Sequence, residues 1–249
     1  GAGGGDADVH RVFQRGLAVG RDQLRRGVVQ RQVTGASAVL REVAGGLDAA
    51  GLGIDQKQGR LPVGQGRHQK AVGPVGRGHQ VLVAGHETTA SLLSLMLWRL
   101  IQQPELMEQL RNDSSKIQWA VEEFLRFDSP VQGLFRTNKE ECEVRGETIP
   151  ERSKMQLLFA AANRDPRVWE NPDDINLDRF GPGAKPHLAF GWGVHHCIGN
   201  VLARREGQMA LRWMIDTFAT IELTGEVKVN QPFILRGLTT LPIKWTVRE

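Results

Sequence analysis

HLAFGWGVHHCIG, residues 187–199, is the stretch on which the reading of this chain turns. It sets Cys197, one of two cysteines, directly behind His195 and His196, among Gly191, Gly193 and Gly199, and just ahead of a segment with helical spacing. A lone cysteine there can be a structural thiol in a Gly-rich turn, or a nucleophile activated by a helix amino terminus, which lowers a thiol pKa. A bare zinc site fits poorly, because three consecutive residues cannot easily converge on one tetrahedral ion and no CxxC or HxxxH completes the set. HETTA at 86–90 has Ala90 where a metalloprotease needs its second histidine.

A further reading uses every residue of the stretch. A thiolate at a helix amino terminus is stabilised by the helix dipole and by free backbone N–H groups, and so suits the axial position of haem iron. The glycines let backbone approach the sulfur and the porphyrin face, and His195 stands two residues before the ligand, within reach of a haem propionate. A c-type attachment would need CxxCH, which is absent.

Composition limits the alternatives. The chain has 249 residues, is 40% hydrophobic and 24% charged, and carries a formal net charge of +4, the values of a globular protein. The basic excess sits in residues 1–80, which have 12 Lys+Arg against 6 Asp+Glu, but this segment has a single aromatic residue and no recognisable nucleic-acid motif, so no nucleic-acid partner is expected. Two cysteines, Cys142 and Cys197, make no disulfide framework, and no signal peptide is apparent, which points to the cytoplasm. VLVAGHETTASLLSLMLWRLI is long enough to span a membrane but contains His86 and Glu87, and reads as a buried helix of a soluble protein.

Organisation changes sharply near residue 80. Residues 1–80 hold 18 of the 29 glycines, are rich in Gly, Arg, Gln and Val, show no sustained periodicity and resemble no family. GAGGGD has Asp6 where a dinucleotide fingerprint has its third glycine. The segment is expected to be disordered or unstably packed, and its composition is that of GC-rich DNA translated in a wrong frame. All six tryptophans lie in residues 81–249. There the spacing predicts a helix from Val81 to Gln102 with Leu92, Leu93, Met96, Leu97 and Leu100 on its apolar face, and short helices over Pro104–Arg111 and Ser115–Phe127. It also predicts strands near Glu141–Val144, Lys154–Phe159 and Thr239–Val247, a loop over Asn163–Pro186, and a last helix from about Cys197 to Phe218. The fold class expected is mainly α with a small mixed β-sheet.

FGWGVHHCIG closely resembles the haem-binding loop of the cytochromes P-450, the haem-thiolate monooxygenases, in the FGxGxHxCxG form of soluble bacterial members. The resemblance makes Cys197 the metal ligand and His195 a propionate contact, counts Gly191, Gly193, Gly199, His187 and Phe190 among the cofactor contacts, and sets Phe190 beside the thiolate. AGHET at 84–88 is similar to the family's oxygen-binding motif, set in a local widening of a long helix. Ala84 and Gly85 are implied to face the cofactor, and Glu87 and Thr88 to relay protons, which a hydroxyl backed by a carboxylate can do. Glu123 and Arg126 form an ExxR on one helical face. With Arg179 of NPDDINLDRF they resemble the structural triad that holds the cysteine pocket. Arg136 stands where relatives supply a second propionate contact. Val131, Gln132, Gly133, Leu134, Phe233 and Ile234 are implied to line the substrate pocket.

The resemblance runs from about Val81 to the carboxyl end and implies the carboxyl-terminal half of the haem-thiolate monooxygenase fold. It implies haem b as cofactor, insertion of one oxygen atom from O2 into an apolar organic substrate, and electrons from NAD(P)H through a ferredoxin and ferredoxin reductase. Two other readings remain at this point: an inactive truncated or frameshifted fragment, and a non-catalytic haem-binding or redox-sensing module.

Overall fold

The computed structural model describes residues 74–230 and 234–248, with side chains from Val83 onward. The expectations for residues 1–73 and for Phe233 lie outside the described residues.

Helix α1, Pro74–Gln102, crosses the boundary set near residue 80 and is the spine of the fold. Over Leu92–Leu97 it is buried all round, Leu92, Leu95, Met96, Leu97 and Leu100 being 2% exposed or less. A helix apolar on every side must be enclosed by its neighbours. Helix α2, Pro104–Asn112, opens on a proline, whose missing N–H is no loss in a first turn. Asp113 then caps a 3-10 turn, Ser114–Lys116, accepting the Ser115 N–H at 3.1 Å. Helix α3, Ile117–Phe127, follows, and its buried face carries Val121, Phe124 and Leu125. Helix α5, Asn200–Thr217, packs against α1 and α3, adding Leu211, Met214 and Ile215 to one core. A single turn, α4, spans Phe159–Ala162.

Sequence reasoning expected a mixed sheet; the structure has four separate antiparallel pairs among the described residues. Strands β1, Leu134–Thr137, and β4, Lys154–Leu157, pair; β2, Cys142–Val144, and β3, Glu147–Ile149, form a hairpin. Strands β5, Phe218–Leu223, and β8, Ile243–Val247, pair, as do β6, Lys228–Asn230, and β7, Gly237–Thr240. The reason is connection length: β2 and β3 are joined by Arg145-Gly146 with φ of 54° and 85°, a two-residue turn that only antiparallel strands can use. Two boundaries also differ. Phe159, expected to end a strand, opens α4, and Phe218, expected to end the last helix, opens β5, a strand not predicted from the sequence. No helix among the described residues is long and apolar enough to cross a membrane.

Candidate haem-ligand site

The ExxR pair lies at the centre of the molecule. Glu123 and Arg126, three residues apart on α3, are both fully buried, with Arg126 Nε 2.8 Å from Glu123 Oε2 and Nη2 2.8 Å from Oε1. The remaining Arg126 N–H groups donate to the carbonyls of Asn163 (2.9 Å), Pro172 (2.8 Å) and Asp174 (3.1 Å), so all five of its donors are used. Arg179 completes the set, its Nε 3.1 Å from Glu123 Oε1 and its other nitrogens on the carbonyls of Glu170, Asn171 and Asp174. One carboxylate thus holds two guanidiniums, which in turn fold Asn163–Arg179 into a fixed loop. A buried charge is tolerated only with such full pairing.

From that loop the chain reaches the cysteine. Asn163, fully buried, donates to Ser129 Oγ at 2.9 Å and accepts the Leu188 N–H at 2.7 Å, which ties the end of α3 to the start of the cysteine loop. Gly191 and Gly193 have φ of 70° and 72°, left-handed values that a side chain would strain. The turn they make brings Cys197 back, its N–H donating to the Phe190 carbonyl at 2.9 Å. Cys197 precedes the first residue of α5 by three, rather than opening the helix, and its carbonyl accepts the Asn200 N–H at 3.3 Å. The thiol is exposed, and so are the apolar side chains around it: Val194 is 97% and Ile198 96% exposed. A Cβ built on Gly199 would stand 3.9 Å from the sulfur, an ordinary contact.

The other predicted residues fall in three places. His195 ends a 3-10 turn, Gly193–His195, and is exposed. His187 is buried: Ala189 N–H donates to its Nδ1 at 3.1 Å, and Nε2 lies 3.1 Å from Glu122 Oε2 without hydrogen-bond alignment. Phe190 faces His187, His196 and Arg204. On α1, Ala84, Gly85 and Glu87 are exposed and Thr88 half-exposed. The helix is regular there, without the expected widening, and the Thr88 hydroxyl donates to the Ala84 carbonyl at 2.7 Å. Arg136 lies half-exposed on β1, Nη1 donating to the Phe135 carbonyl at 2.8 Å. Of the residues expected to line the substrate pocket, Gln132 N–H donates to the Ile234 carbonyl at 2.8 Å, Val131 bridges Leu235, and Gly133 is buried beside the exposed Leu134.

Sequence reasoning missed Glu122, Asn200 and Arg204. Asn200 and Arg204 are four apart on α5, a spacing that aligns them on one face and was the available signal. Glu122, 82 residues from Arg204, left none.

These residues fit a haem. Among the described residues no three His, Cys, Asp or Glu side chains converge on a bare ion. A prosthetic group that brings most of its own ligands needs one soft donor from the chain, an apolar face and cations at its rim. Exposed Cys197 among Val194, Ile198 and Trp192 supplies the first two, and His195 and Arg136 are candidates for the third.

Comparison with known proteins agrees. Residues 78–247 match the family model described as Cytochrome P450. A cytochrome P450 of Rhodopseudomonas palustris is 40% identical over 166 residues, which cover 67% of this chain and 40% of that protein. The biotin biosynthesis cytochrome P450 of Bacillus subtilis is 39% identical over 162 residues, 65% of this chain and 40% of its own length. Among solved structures, the P450 BioI in complex with an acyl carrier protein ligated to hexadec-9Z-enoic acid superposes with a TM-score of 0.63 at 38% identity, over 67% of this chain and 43% of that one. The chain therefore spans about two fifths of the length of the curated relatives it matches. A buried Glu123–Arg126–Arg179 triad, an exposed Cys197 in a glycine-turned loop, and a family match across residues 78–247 lead to one conclusion: the chain belongs to the cytochrome P450 family.

Proposed function

We propose that the described region supplies the iron-ligand half of a haem-thiolate monooxygenase that inserts one oxygen atom from O2 into an apolar organic substrate. Electrons come from NAD(P)H through a ferredoxin and its reductase, and the protein works in the cytoplasm. The observation that carries this is the Cys197 thiol, exposed among Val194 and Ile198, on a loop braced by an ion-pair triad whose Glu123 and Arg126 are fully buried. Apolar side chains left bare at a rigidly held thiol are a surface for a flat hydrophobic group.

When bound, haem supplies the activation of dioxygen. Cys197 provides the thiolate. His195 and Arg136, both reaching solvent, would pair with the carboxylates of a bound haem. Thr88 holds a hydroxyl proton at Oγ1, parked on the Ala84 carbonyl at 2.7 Å, and Glu87 one residue earlier is exposed to water; together they pass protons toward the oxygen site. Val131–Leu134 and Ile234, joined through the Gln132 N–H, form one wall of the substrate space.

Two similar solved structures hold apolar groups: hexadec-9Z-enoic acid ligated to an acyl carrier protein in one, and testosterone in the other. The test is the haem-loaded protein with a ferredoxin, its reductase and NADPH under labelled dioxygen, offered hexadec-9-enoic acid and testosterone. One labelled oxygen atom in the product supports the reading. NADPH oxidation that no apolar compound stimulates, with haem fully bound, favours a haem-binding module, and an iron content near zero favours an inactive fragment.

A further inference from the structure

Helix α3 carries two adjacent glutamates that serve different partners. Glu123 closes the buried triad. Glu122 reaches α5, where Arg204 Nε donates to its Oε1 at 2.7 Å, while its Oε2 lies 3.1 Å from the His187 ring. From Arg204 the connection continues to the cysteine: Nη1 donates to Asn200 Oδ1 at 2.6 Å, and Asn200 Nδ2 donates to the Cys197 carbonyl at 2.7 Å. The same guanidinium lies 4.5 Å from the centroid of the Phe190 ring, and the Phe190 carbonyl is the acceptor of the Cys197 N–H. Arg204 thereby touches the cysteine loop where it enters, at Phe190, and through Asn200 where it leaves, at Cys197. Burial pushes the Glu122 carboxyl up, but the neighbouring His187 and Arg204 outweigh it and hold the group below the usual range, so Glu122 is a charged anchor at neutral pH.

We propose that Glu122, Arg204 and Asn200 form a tether that fixes the backbone on both sides of Cys197 and sets where its sulfur stands, alongside the Glu123–Arg126–Arg179 triad and separately from it. These are positioning residues. A planar, forked guanidinium can hold a carboxylate, an amide and a ring face at once, which a lysine cannot. Only the consequence for haem ligation rests on the function proposed above; the tether stands on the geometry of the chain itself.

The test is amide hydrogen exchange, by mass spectrometry, of the full chain and its variants. Asn200→Ala removes the last link and leaves Arg204 and Glu122 in place. Exchange of the peptide holding Cys197 is expected to quicken by about tenfold or more, with the core amides of α1 and α3 unchanged. Arg204→Lys keeps the charge facing Glu122 but loses the fork, and is expected to resemble Asn200→Ala rather than the parent. Glu122→Gln combined with Asn200→Ala is expected to add little to either, since both break one connection. In the haem-loaded protein, the share of the reduced carbon monoxide complex with the red-shifted thiolate-type Soret band is expected to fall in Asn200→Ala. Unchanged exchange at Cys197, or acceleration spread through the core, overturns the tether. Faster exchange with an undiminished thiolate band overturns the claim that it sets the sulfur. A parent protein that binds haem without any thiolate band refutes the proposed function, and the exchange result then still decides the tether.

Discussion

Replacing Glu123 by Gln tests whether the triad is a structural keystone. The carboxylate is fully buried and receives four hydrogen bonds, two from Arg126 and one each from Arg179 Nε and the Asn176 N–H. The variant keeps size and shape but leaves two guanidiniums, one wholly buried and one 11% exposed, without a counter-charge. Removing one partner of a buried pair costs about 3–5 kcal/mol. That is a large share of the roughly 5–15 kcal/mol that keeps a domain folded. At about 2–4 °C per kcal/mol for a domain of this size, the midpoint should fall by roughly 6–20 °C. Asp178→Asn is the internal control: its partner Lys116 is 24% exposed and Asp178 itself 60%, so its loss should cost less than about 1 kcal/mol. Thermal unfolding followed by tryptophan emission reads both variants, and with six tryptophans the signal is ample. A Glu123→Gln loss no larger than that of Asp178→Asn would refute the assignment of the triad as the brace of the cysteine loop.

Other outcomes follow from single contacts. Burial, opposed by a hydrogen bond from Thr89, raises the Glu206 carboxyl above its ordinary 4.5, so the folded state binds a proton that the unfolded state releases. Glu206→Gln should therefore be more stable than the parent at pH 7, with the difference shrinking as pH falls through the raised value; an equal difference at every pH would exclude this. At Gly133 an added Cβ would stand 2.4 Å from the Leu157 carbonyl oxygen, so Gly133→Ala should cost about 1–3 kcal/mol in a denaturant titration, and a neutral result would mean the β1–β4 pair gives way freely. Thr88→Ala should keep haem bound while lowering product formed per NADPH consumed, the remainder appearing as peroxide or water; unchanged coupling would make Thr88 a packing residue only.

What the sequence disclosed and what it hid divide by range. The apolar face of α1 was legible because Leu92, Met96 and Leu100 recur at helical spacing within one segment, and all are buried. The triad was legible because Glu123 and Arg126 share a turn and Arg179 sits in a characteristic loop. Sheet pairing was not, since β1 pairs with β4 across the β2–β3 hairpin and β5 with β8 across β6 and β7, so these partners lie far apart along the chain. The Glu122–Arg204 connection was hidden for the same reason: two charges 82 residues apart carry no mutual period, and only the packing of α3 on α5 brings them together. Thr88 shows the reverse limit, a residue identified by motif whose local helix proved regular, because its hydroxyl satisfies the Ala84 carbonyl without opening the turn.

The central claim is that Cys197 is the axial ligand of a haem, and one spectrum tests it most directly. The protein is loaded with haem, reduced, and exposed to carbon monoxide, alongside Cys197→Ala and Cys142→Ala. Cys142 is half-buried on β2, a strand apart from the ligand loop, and serves as the control thiol. The account predicts the red-shifted thiolate-type Soret band for the parent and for Cys142→Ala, and its complete loss in Cys197→Ala. A thiolate-type band that survives in Cys197→Ala would contradict it.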